Sequence, residues 1–102
     1  MQIKKKTDID AVLDNFSSFA QWDALGKKQY FVFPDRKRGG QWTLMHYSGD
    51  TFSVHGLGED YRDEEEQFFE ERQSIISFLW DHRSAFNSAV KLVMEKELSM
   101  NS

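Results

Sequence analysis

Three short runs rich in aromatic and β-branched residues, "QYFVF" (29–33), "QWTLMHY" (41–47) and "TFSVH" (51–55), are separated by "PDRKRGG" and "SGD". Such runs between turn residues read as strands, and Pro34 stops the first of them. The pattern predicts a three-stranded antiparallel meander. A two-residue turn at Gly49–Asp50 sets Tyr47 opposite Phe52 and Met45 opposite Val54, so that these four share one face.

On either side of the meander the apolar period changes from two to that of a helix. Residues 7–25 carry Ile9, Val12, Leu13, Phe16, Phe19 and Ala20 at helical spacing. Thr7 with Asp10 resembles a cap, and Gly26 is placed to stop the helix. After the meander, Phe68, Phe69, Ile75, Ile76 and Leu79 fall in one helical sector, and Phe86, Val90, Val93 and Met94 continue it in phase. A helix over 63–97 would be roughly 50 Å long. That exceeds a domain whose radius of gyration should be about 13 Å, so the helix either bends near "DHRS" (81–84) or packs on a second chain. The expected fold is therefore α+β: an N-terminal helix, the three-stranded meander, and a long C-terminal helix, bent or broken, on one face of the sheet. Phe16, Tyr47, Phe52, Val54, Phe69, Ile76, Leu79 and Phe86 should form its core.

A chain of 102 residues has material for one core, and nine Phe, three Trp and three Tyr can fill it. Residues 1–102 are read as one domain, frayed over 1–6 and 99–102. There is no cysteine, which removes disulfides and thiolate metal sites and points to a cytosolic protein. No apolar segment follows the basic start, and no uncharged run approaches the ~20 residues that span a bilayer, so neither a secretory signal nor membrane insertion is expected.

Catalytic signatures are sparse. No G-x-S-x-G elbow or phosphate loop is present, and the acids of 59–71 have no recognisable pocket in which to act as acid and base. His46 and His55 lie on one sheet face in the expected register, which would let a metal or substrate bridge them, but no ligand spacing supports a metal centre. The expectation is a non-catalytic protein with no cofactor. A small metal-dependent enzyme at His46 and His55 is the reading of a different class.

Two charged surfaces remain. From Glu59 to Arg72 there are eight acids against two arginines, a balance of −6. Carboxylates are stabilised at a helix N-terminus, so the plain account is a solvated helix start. The functional account is an acidic face, Asp63, Glu66, Glu70 and Glu71 with Phe78 as aromatic anchor, that occupies a basic groove on a partner protein. Such a protein would be an inhibitor or accessory factor. Between 27 and 38, Lys27, Lys28, Arg36, Lys37 and Arg38 stand against Asp35 alone, close to Trp42 and other strand aromatics. That pattern suits single-stranded nucleic acid, where phosphates meet cations and bases stack on rings, although the net charge of −4 opposes it. The expected partner is thus a protein, with nucleic acid as the alternative and a homodimer through the C-terminal helix as the alternative to a monomer.

Overall fold

The alternation of 29–57 becomes the centre of a five-stranded sheet rather than a three-stranded one. The computed structural model describes residues 2–57 and 66–100. Its elements are α1 (Lys6–Asp14), α2 (Phe16–Phe19), β1 (Gln21–Trp22), β2 (Gln29–Pro34), β3 (Gln41–Ser48), β4 (Thr51–Leu57), β5 (Gln67–Phe69), α3 (Arg72–Asp81) and α4 (Arg83–Met100). Every strand pairs antiparallel with the next in sequence, giving the order β1-β2-β3-β4-β5. The α+β class and the C-terminal helices agree with the sequence. The two outer strands were hidden in stretches with helical spacing.

The N-terminal correction has a local cause. Asp8, rather than Thr7 with Asp10, caps the first helix, its Oδ2 accepting from the amides of Lys4 (2.9 Å) and Lys5 (3.0 Å). The helix then stops at Asn15, which leaves helical backbone. Beyond the single turn of α2, Gln21 and Trp22 pair with Tyr30 and Gln29, so sheet pairing ends the helix expected over 7–25 before its last residues. Gly26, expected as a helix stop, takes a positive φ of 66° in the β1–β2 turn. Ile3, near the start of the chain, is fixed too. Ile3 is 8 % exposed, and its amide donates to Asn87 Oδ1 at 2.7 Å, although it lies in the stretch expected to fray.

The hairpin register also differs from expectation. Ser48 faces Thr51 as predicted, but a bulge at Tyr47 shifts the ladder so that His46 faces Phe52, Met45 faces Ser53 and Leu44 faces Val54. One extra residue turns every following side chain to the other face. Phe31, Phe33, Trp42, Leu44, Phe52 and Val54 thereby lie on the buried face, under Ile9, Val12 and Leu13 of α1, Phe16 of α2, Ile75 and Leu79 of α3, and Phe86 and Val90 of α4. Edge-to-face ring pairs join the layers: Phe16 with Phe52 at 5.5 Å, and Phe86 with Phe31 at 5.5 Å and Phe33 at 5.4 Å. Of the expected core, Phe69 and Ile76 are only partly buried against it, and Tyr47 belongs to the opposite face.

The long helix is shortened at its start and divided at its middle. Gln67, Phe68 and Phe69 pair with Val54, Ser53 and Phe52, so the chain is extended where the helical sector was expected. Helix α3 begins at Arg72, whose guanidinium joins Asp10 and Asp14 of α1 (3.0 Å each) to Asp50 of the β3–β4 turn (2.9 Å). Burial pulls the Arg72 pKa down, but hydrogen bonds to Asp50 and Asp14 more than offset it and leave it above its ordinary value. The break near 81–84 is real: His82 leaves helical geometry, with φ −112° and ψ 23°. It lets α4 fold back over β2, and the radius of gyration is 13.3 Å. No described helix is long and apolar enough to cross a membrane.

Candidate functional site

All four helices pack on one face of the sheet. The other face presents Tyr30 and Val32 from β2, Thr43 and Met45 from β3, Ser53 and His55 from β4, and Phe68 from β5, as strand alternation requires. Among the described residues no helix covers it. Phe68 is 57 % exposed, and its ring lies 5.3 Å from Tyr47.

Glu66 holds this face together. Its Oε1 accepts from Tyr47 Oη and from the buried Ser53 Oγ, both at 2.5 Å. Partial burial pushes its pKa up, but the hydrogen bonds from Ser53 and Tyr47, helped by the nearby charges of His55 and Lys28, win and hold it below the ordinary glutamate value. Burial and the Glu66 carboxylate push the Tyr47 phenol the other way, above its ordinary value. Lys28 Nζ sits 4.1 Å above the Tyr47 ring centroid. This linkage fixes the start of β5 and so presents Phe68 outward.

The sequence-predicted acidic face is therefore rearranged. Asp63 lies outside the described residues. Glu66 is engaged with Tyr47 and Ser53 rather than standing on a helix, while Glu70 and Glu71 are exposed between β5 and α3. Phe78 is not an outward anchor. Its helix begins later and in a different phase, and its ring packs against His82 (4.6 Å), Trp42 (5.1 Å) and Phe69 (5.7 Å). Among the described residues, the exposed aromatic in the acidic stretch is Phe68, ten residues earlier. Three residues, Gln67 to Phe69, show no strand period of their own, and the helical spacing downstream concealed the strand.

The basic residues divide into two groups. Lys27 and Lys28 precede β2, whereas Arg36, Lys37 and Arg38 follow it, and a six-residue strand holds the groups roughly 20 Å apart. Trp42, expected as a stacking platform, is 7 % exposed beneath the helices, with Arg38 4.7 Å over its ring. Arg38 Nε also pairs with Asp35 at 2.8 Å. Burial raises the Asp35 pKa, but bonds from the Arg38 side chain and from the Arg38 and Lys37 amides keep it below the ordinary value. Arg36 reaches across to α4, donating to Ser84 Oγ (2.8 Å) and Ser88 Oγ (3.0 Å).

The bulge also separates the histidines. His46 turns to the helix side, 4.7 Å from the Phe52 ring and 6.0 Å from Phe16, with Nε2 3.0 Å from the Gly49 carbonyl oxygen. His55, opposite Thr43, is on the uncovered side, so the two cannot hold one metal. Among the described residues no group of three or more His, Cys, Asp or Glu is arranged to hold an ion. No protein-family model, curated protein or solved structure matches this chain.

Proposed function

We propose that this chain is a non-catalytic, cytosolic binding protein whose uncovered sheet face docks on a partner protein carrying a basic surface. The exposure of Phe68 carries the reading. A ring of this size left open beside exposed carboxylates combines a desolvating anchor with a charged rim, the arrangement that concentrates binding energy in a few interface residues. Glu70 and Glu71, two and three residues further along the chain, are exposed acids, and the net charge of −4 favours encounter with a cationic surface. Tyr30, Val32 and Met45 extend the contact area along the same face. An inhibitor or accessory factor fits this physical character, and the lack of cysteine fits a reducing compartment.

The test is capture from host lysate on the immobilised protein, on Phe68→Ser and on Glu70→Lys/Glu71→Lys, at low and high salt and after nuclease treatment. The expected result is a nuclease-resistant protein retained by the parent, lost with Phe68→Ser, and bound more slowly by the charge-reversed variant. Equal retention by all three would reject this face. Retention that disappears with nuclease would point to nucleic acid instead.

A further inference from the structure

Behind the sheet, away from Phe68, the β2–β3 turn meets the junction of α3 and α4. There Arg36, Lys37, Asp81, His82, Arg83 and Ser84 line a groove of about 260 Å³. Three of these side chains are permanent cations, drawn from two elements far apart in sequence. Among the described residues Asp81 is the one carboxylate in the lining. A local balance of +2 in a chain of net charge −4 is an unusual concentration.

The partners of these cations make the concentration more pointed. Arg36 is held by two neutral hydroxyls, Ser84 Oγ and Ser88 Oγ, which orient the guanidinium without neutralising it. Arg83 Nη1 donates to the Trp80 carbonyl at 3.0 Å, and its guanidinium stacks 4.5 Å over the Trp80 ring. Among the described residues, neither Arg36, Lys37 nor Arg83 forms an ion pair with a carboxylate. By contrast, Arg38 is paired with Asp35 and Arg72 with three aspartates, so the fold elsewhere supplies counter-charges to its arginines.

We propose that this groove binds a phosphate group, with Arg36, Lys37 and Arg83 as its ligands. Two guanidinium forks and an ammonium match the charge and the several acceptor oxygens of a phosphate dianion. The volume is several times the roughly 30 Å³ of a water, room for a phosphate and a small ester substituent. Free phosphate and a small phosphate monoester present the same chemistry to these residues.

His82 reports occupancy. Its ring lies among Phe33, Trp42 and Phe78, and burial, then Lys37, lower its pKa, with Arg38 acting in the same sense and Asp35 and Asp81 opposing. A phosphate beside Arg36, Lys37 and Arg83 would add negative charge facing the imidazole and raise that pKa.

The experiment is amide and imidazole NMR of the whole chain, titrated with inorganic phosphate and separately with phenyl phosphate, at ionic strength held constant with sodium chloride. Saturable shifts confined to 36–38 and 81–85, and an upward move of the His82 titration, are expected. Arg36→Gln combined with Arg83→Gln should weaken binding at least about tenfold, with an unchanged circular dichroism spectrum. Tighter binding of phenyl phosphate would assign the site to a monoester, and equal or weaker binding to phosphate itself. Linear shifts that chloride reproduces, or undiminished binding by the folded double variant, would overturn the proposal.

Discussion

Replacing Arg72 by Met keeps most of the aliphatic stem and removes the charge that joins α1, α3 and the β3–β4 turn. The side chain is 23 % exposed, and its three aspartates are more open, so each pair is discounted to the surface scale of about 0.2–1 kcal/mol. Three pairs give roughly 0.6–3 kcal/mol. Removing the shared cation also leaves Asp10 and Asp14, one helical turn apart, repelling each other, which adds a few tenths. The expected loss at low salt is about 1–2 kcal/mol, out of a total near 5–15 kcal/mol for a chain of this length. Because the Debye length falls to about 3 Å at 1 M salt, at least about half of that loss should vanish there. Urea unfolding followed by tryptophan fluorescence, at 50 mM and 1 M sodium chloride, measures both quantities, and pairing the change with Asp50→Asn should show coupling of about 0.5 kcal/mol or more. A loss independent of salt, or below about 0.3 kcal/mol at low salt, would mean that Arg72 acts through packing or not at all.

Two further outcomes follow from burial and hydrogen bonding. Glu66 has a folded pKa below its ordinary value of 4.5, so its contribution to stability is present above that pH and is lost as pH falls through the lower, folded value. Stability of the parent should therefore drop more steeply below about pH 4.5 than that of Glu66→Gln, and parallel urea curves from pH 7 to 3 would contradict the linkage. Leu79 is fully buried and Phe69 only partly, so Leu79→Ala should cost about 2–5 kcal/mol and Phe69→Ala less than the 3–5 kcal/mol or so of a buried phenylalanine. Leu79→Ala melting like the parent would disprove the placement of α3.

Strong local signals were legible and weak ones were overridden. The runs at 29–33, 41–47 and 51–55 became β2, β3 and β4, because alternation, Pro34 and Gly49 all specify the same local geometry. Phe52 and Val54 were recognisable as core from strand alternation, and Phe16, Leu79 and Phe86 from helical spacing. The bulge at Tyr47 was not, since the residue that accepts its phenol hydrogen bond, Glu66, lies 19 residues away in sequence. That one shift moved Tyr47 and His55 relative to His46 and undid the bridging histidines. Gln21–Trp22 and Gln67–Phe69 are too short to show a period, and each borrows its conformation from a neighbouring strand. Charge counts located the acidic and basic segments, but could not show that β2 separates the basic residues or that Phe68, not Phe78, stands among the acids.

The outer strands are also the shortest. β1 has two residues and β5 three, whereas the three inner strands have six to eight. An exposed edge is a template on which a foreign strand can nucleate, and its danger grows with its length. Here β3, the longest strand, is paired along both sides, whereas β1 covers only Gln29 and Tyr30 of β2 and β5 only Phe52 to Val54 of β4. Among the described residues the stretch of β2 that β1 leaves unpaired ends at Pro34, which has no amide hydrogen to offer a foreign strand, so the template is short at that margin.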